Sequence, residues 1–102
     1  MQSLIEDRTE ELVILARRHG VSRLDVFGSA ATGEFDEAHS DLDFVVAFVE
    51  QPPEGVANAY FGLLEDLQQL FGRQVDLVTE RSIRNPYFRE SVEETRRPVY
   101  VA

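Results

Sequence analysis

The sequence predicts a layered α+β fold of α/β-like character. Two observations predict it. Short runs rich in Val, Leu and Phe, with the two-residue period of a strand, alternate along the chain with longer stretches whose apolar residues recur at helical spacing. Capping and turn residues separate each run from the next, and no linker, repeat or low-complexity segment intervenes. At 102 residues, 43% apolar and 28% charged, the chain has the size and composition of one globular domain spanning 1–102.

Each element has a local reason. Ser3 followed by Glu6 fits a capping box, and Leu4, Ile5, Leu12, Leu15 and Ala16 predict a helix that ends at Gly20. Residues 23–27 alternate as a short strand, stopped by Gly28-Ser29. Residues 30–34 suit one helical turn with Ser29 at its cap, and 35–40 a polar loop. Residues 42–49 form the clearest strand, ended by Pro52-Pro53. A wide apolar stripe over 56–71 predicts a helix closed by Gly72. Residues 74–79 read as a third strand. Asn85-Pro86 is an N-cap followed by proline at the first helical position, opening a helix to Thr95. Pro98 forbids its continuation, so 99–101 is a last strand or an extended tail.

Composition removes several classes. There is no cysteine, hence no disulfide framework and no thiolate zinc site. No apolar run approaches the roughly 18 residues of a membrane helix, and no basic-then-apolar signal pattern opens the chain. A cytoplasmic protein without a membrane partner is therefore expected. The net charge is −9, and all ten basic residues are arginine. Residues 24–72 hold ten carboxylates and no base, and sum to −10. Such a stretch repels a phosphate backbone, which argues against nucleic acid as a partner. It either faces water or holds cations.

Three features fall where strands begin or end. Gly28-Ser29 closes the first strand, Asp41-Leu42-Asp43 opens the second, and Asp76 sits inside the third, in Val75-Asp76-Leu77-Val78. Residues two apart on extended chain point to one face of a sheet. Asp76 joins Asp41 and Asp43 if the third strand lies beside the second with its polar side on that face. Clustered carboxylates repel without a cation between them, and oxygen donors of this kind suit Mg²⁺ or Mn²⁺. Because Mg²⁺ fills its sphere with water and substrate phosphates, the set suggests a nucleoside triphosphate. Glycine lets phosphate approach the backbone, and Ser29 with following N–H groups can donate to it. Singly the parts are weak. Most Gly-Ser pairs are turns, and most Asp-x-Asp pairs are solvated strand edges. Asp76 read alone is a solvent-facing strand position or an ion-pair partner of Arg73.

Together the parts resemble a family. Phe27-Gly28-Ser29, a spacer containing Gly33, and Ser40-Asp41-Leu42-Asp43 are similar to the signature of the DNA polymerase β nucleotidyltransferase superfamily, whose third carboxylate matches Asp76. The short chain resembles the minimal nucleotidyltransferase (MNT) group, and Tyr60-Phe61-Gly62-Leu63-Leu64 and Asn85-Pro86-Tyr87-Phe88 resemble one bacterial branch of it. Two departures stand out. The spacer 30–40 is eleven residues, one more than the commonest form, and Thr32 replaces an arginine that many relatives carry.

The resemblance implies a nucleotidyltransferase fold, a small mixed sheet backed by helices. It implies Asp41, Asp43 and Asp76 as catalytic metal ligands for two Mg²⁺ ions roughly 3.5–4 Å apart, with Mn²⁺ as a substitute. Gly28, Ser29, Thr32 and Ser40 would bind nucleotide, with ATP as substrate, and Arg81 or Arg84 would reach its far phosphates. Stand-alone MNT proteins are often encoded beside an HEPN-domain ribonuclease toxin and act as its antitoxin. The implied function is thus transfer of AMP from ATP to a protein hydroxyl, a tyrosine of a cognate HEPN toxin. The alternative is a non-catalytic nucleotide- and metal-binding antitoxin that neutralises its partner by direct binding.

The remaining chemistry-bearing residues have plainer expectations. His39 and His19 read as a solvated loop residue and a helix-dipole partner. Tyr60, Phe61, Phe71, Tyr87 and Phe88 read mostly as core, Asp25 and Glu34 as surface charges, and Arg96-Arg97 as a solvated pair or helix-end charge.

Overall fold

A computed structural model describes residues 3–28, 31 and 42–102. The predicted turn at 30–34 and loop at 35–40, with Ser29, Thr32, Glu34, His39, Ser40 and Asp41, lie outside the described residues apart from Ala31, which is helical and buried. So do the side chains of Ser3 and Leu4.

The chain opens with two helices, α1 (Ser3–Glu6) and α2 (Thr9–Arg18), where the apolar spacing predicts one. The break has a local cause. The Thr9 hydroxyl donates to the Glu6 carbonyl at 2.9 Å, and the Arg8 amide donates to Ile5 three residues back. Both offer the backbone a turn in place of a continuing helix. α2 carries Glu10 and Glu11 in its first turn and Arg17 and Arg18 in its last, matching its dipole. Gly20, at φ +67°, redirects the chain into β1 (Val21–Phe27), which begins two residues before the predicted strand.

β2 (Leu42–Phe48) runs antiparallel to β1. α3 (Pro53–Phe71) follows, three residues longer at its start than the apolar stripe indicates, because Pro53 is a good first helical residue. Gly72, at φ +62°, ends it in the left-handed conformation. β3 (Val75–Thr79) lies parallel to β2, so β2, α3 and β3 form a crossover unit. A 3₁₀ turn (Glu80–Ser82) leads to α4 (Pro86–Thr95). The Asn85 side chain caps α4 by accepting from the Tyr87 and Phe88 amides, an arrangement worth about 1 kcal/mol. The tail alternative resolves as a strand: β4 (Arg97–Val101) pairs antiparallel with β1, and Pro98 is tolerated because β4 is an edge.

The sheet order is β3-β2-β1-β4, a mixed four-stranded sheet with helices on both faces. The larger core lies under α1, α2 and α3, where Leu12, Leu15, Leu63 and Leu67 cover Leu24, Phe44 and Leu77. Tyr60 is half-buried there and donates its hydroxyl to the Leu77 carbonyl at 2.5 Å. The opposite face has a smaller core of Phe27, Val45, Ile83 and Val92 beneath α4. Three aromatics expected inside are outside. Phe61 is 66% exposed, Tyr87 81% and Phe88 40%. Phe61 lies edge-on to Tyr60 and Phe88 edge-on to the buried Phe27, so each meets the interior only along one side.

Candidate active site

The carboxylates lie on the face opposite the larger core. Leu42 and Phe44 of β2, and Val75 and Leu77 of β3, all point into that core. The residues between them, Asp43 and Asp76, therefore project from the other face. The two are register partners in the parallel β2–β3 pair, and Phe27 is the register partner of Asp43 on β1. One row across the sheet thus reads Phe27, Asp43, Asp76. Asp43 is half-buried and Asp76 exposed, so the row opens to solvent on its β3 side.

Gly28 borders this row. Its φ is +70°, and a Cβ at this position would fall 2.7 Å from Asp43 Oδ2. The absent side chain lets the Asp43 carboxylate lie against the backbone. The Gly28 amide donates to Thr95 Oγ1 at 3.0 Å, and its carbonyl accepts from the Ala31 amide at 3.0 Å. The turn is therefore held from both sides.

Of the residues singled out in the sequence, the structure brings Gly28, Asp43 and Asp76 together. Ser29, Thr32, Ser40 and Asp41 lie outside the described residues. Arg81 and Arg84 are exposed. Among the described residues there is no group of three or more His, Cys, Asp or Glu side chains arranged to hold a metal. The Asp43–Asp76 pair still fits a divalent cation: two adjacent carboxylates repel each other, and Mg²⁺ takes one or two from protein and completes its sphere with water and phosphate.

Two expectations are corrected on this face. Asp25 is not a surface charge; it is completely buried. Its carboxylate accepts from Arg23 Nε at 3.0 and 3.1 Å and from Arg96 Nε at 2.5 Å. Arg96 is not a solvated residue either, its side chain being 10% exposed. Its other nitrogens grip Glu80 in a two-pronged contact at 2.8 Å each and Glu93 at 2.6 Å. Hydrogen bonds from Arg96 hold the Glu80 carboxyl below its ordinary value, against the opposing effect of burial. Glu80, then Glu93 and Asp25, hold the Arg96 proton more firmly than usual. The signal for Asp25 was present: a carboxylate inside an apolar strand, the same pattern that marks Asp76. His19 also has a more specific role than expected, its Nε2 lying 2.6 Å from Asp66 Oδ2.

Similarity to known proteins follows the same outline. A family model described as a nucleotidyltransferase domain matches residues 10–99. The chain is 41% identical over 81 residues to a proposed protein adenylyltransferase of Methanocaldococcus jannaschii, MJ1379, and 40% identical to a second from that organism, MJ0128; each alignment covers 79% of both chains. A solved structure of a proposed minimal nucleotidyltransferase superposes with a TM-score of 0.70 at 38% identity, over 95% of this chain and 94% of the other. A complex of a tri-AMPylated Shewanella oneidensis HEPN toxin with an MNT antitoxin contains a chain that shares the fold, with a TM-score of 0.62 at 22% identity, over 100% of this chain and 74% of that one. The sheet that sets Asp43 beside Asp76 is thus a shared one, and the chain belongs to the nucleotidyltransferase domain family, in its minimal form.

Proposed function

We propose that this chain transfers AMP from ATP to a hydroxyl of a partner protein, a tyrosine of an HEPN ribonuclease toxin, and so acts as an antitoxin. The observation that carries the chemistry is the Asp43–Asp76 pair in register, with Gly28 against it. The protein-directed activity is supported by relatives such as MJ1379, proposed to adenylylate protein. The partner is suggested by the HEPN toxin complex that contains a chain of the same fold.

Asp43, Asp76 and Asp41 would hold Mg²⁺, which when bound neutralises the triphosphate and lowers the pKa of the attacking hydroxyl. Asp43 is buttressed by Gly28 and points one way. Asp76 is open to solvent and accessible to an incoming hydroxyl, whose proton it accepts. The hydroxyl oxygen bonds to the α-phosphorus, the bond from that phosphorus to its bridging oxygen breaks, and pyrophosphate leaves. Ser29, Thr32 and Ser40 would bind the phosphates. Few basic groups are needed near the site if the nucleotide arrives as its magnesium complex.

The test is incubation with Mg²⁺, labelled ATP and a candidate HEPN toxin. Label should pass to the partner and be lost with Asp43→Asn or Asp76→Asn. Labelling that survives both changes rejects the reading. Neutralisation of the toxin that persists without labelling would instead establish the direct-binding alternative.

A further inference from the structure

We infer that Thr95 is a positioning residue for the carboxylate site, acting through the Gly28 backbone on Asp43. The inference rests on the reading of Asp43 as a metal ligand.

Register pairing of β1 with β2 ends at Phe27↔Asp43, so the Gly28 amide is the first N–H beyond the described ladder. Thr95, 67 residues away, supplies its acceptor at 3.0 Å. The direction of that bond is fixed. A threonine hydroxyl has one proton, and that of Thr95 goes to the Ser91 carbonyl at 3.1 Å, one helical turn back. The oxygen's lone pairs are then turned toward Gly28.

What this bond orients sets it apart from a general stabilising contact. The α-carbon it anchors is the one against which Asp43 Oδ2 lies, 2.7 Å from where a Cβ would stand. A rotation of the Gly28 peptide moves the surface on which that carboxylate rests. The neighbouring residue reinforces the grip, since Arg96 holds Asp25 of β1, three positions before Gly28. Thr95 and Arg96 together fasten the site end of β1 to the end of α4. Groups that orient a ligand from behind are worth about tenfold in metal affinity when removed.

The experiment compares the full-length wild-type chain with Thr95→Val, Thr95→Ser and Asn85→Ala. Valine keeps the shape and removes the acceptor, serine keeps the acceptor, and Asn85→Ala weakens α4 at its far end without touching Gly28. Two quantities are read: hydrogen exchange at the Gly28 amide without metal, and Mn²⁺ affinity. Thr95→Val should lose Gly28 protection and bind Mn²⁺ about tenfold more weakly. Thr95→Ser should restore both, and Asn85→Ala should leave the affinity unchanged at a temperature where the chain is folded. Unaltered Gly28 exchange in Thr95→Val would overturn the bond. Lost protection with wild-type Mn²⁺ affinity would overturn the positioning role, as would an equal loss of affinity in Asn85→Ala. A wild-type chain that binds no Mn²⁺ would instead overturn the metal reading beneath it, and this inference with it.

Discussion

Asp25 and Arg96 stand 71 residues apart in the chain and meet at 2.5 Å in the interior. Asp25 has no solvent exposure, so its charge depends on that guanidinium and on Arg23. Removing one partner of a buried pair is costlier than replacing both, because the remaining charge is left undercompensated away from water; here Arg23 alone would remain to Asp25. Arg96→Ala is therefore expected to lower stability by about 3 kcal/mol, the low end for a broken buried pair because Arg23 stays in place. The double change Asp25→Asn/Arg96→Met should recover a large part of that loss. Chemical denaturation of the two variants checks it; a double variant no more stable than Arg96→Ala would contradict the burial argument.

Acid should loosen contacts on both faces of the sheet. The folded-state pKa values of Glu80 and Asp66 are both depressed, Glu80 by hydrogen bonds from Arg96 and Asp66 first by its hydrogen bond with His19. A depressed carboxyl contributes stability that is fully present above its unfolded value and is lost as pH falls through its folded value. For Glu80 the loss begins near its ordinary 4.5, and for Asp66 near 3.8. Thermal melts between pH 7 and pH 3 should show a declining midpoint, and Glu80→Gln should flatten the upper part of the decline.

Gly28 tolerates no side chain for two reasons at once. Its φ of +70° disfavours any L-residue, and a methyl group would strike the Asp43 carboxylate. Gly28→Ala is expected to cost about 1–2 kcal/mol from the backbone conformation alone. It should also displace Asp43 and abolish Mn²⁺ binding. Calorimetric titration with Mn²⁺ reads the second effect; retained binding would show that the carboxylate yields freely.

Ligand-induced stabilisation offers a direct reading of the site. ATP with Mg²⁺ at one hundred times the dissociation constant should stabilise the wild-type chain by about 2.7 kcal/mol. Asp43→Asn and Asp76→Asn should show little of that shift, while Asp66→Asn, on the other side of the sheet, should keep it. A thermal shift assay separates the cases, and an equal shift in all four proteins would dissociate the acids from nucleotide binding.

Much of this architecture was legible in local signals. Gly72 and Asn85-Pro86 mark helix ends by backbone geometry that few other residues supply, and they lie where the pattern put them. Asp43 and Asp76 share a face because strand periodicity leaves no other arrangement once their neighbours enter the core. The break between α1 and α2 escaped the apolar spacing because a threonine hydroxyl, not a hydrophobic residue, causes it. The Asp25–Arg96 and Gly28–Thr95 contacts escaped for a different reason. Each joins residues more than sixty positions apart, and their pairing exists only after the sheet has set α4 across β1. The exposed Phe61 and Tyr87 show the converse limit, since an aromatic residue does not itself reveal whether room remains inside.

The Asp25–Arg96 contact also gives the molecule an order of birth. A nascent polypeptide that has left the ribosome only through β3 already holds both acidic residues of the row, yet Asp25 lacks one of its two cationic partners and β1 lacks its outer neighbour β4. Locking of the first strand must wait until Arg96 and β4 have been made. A chain cut short before Arg96 would then have a first strand with one free edge and one cation fewer against its buried acid.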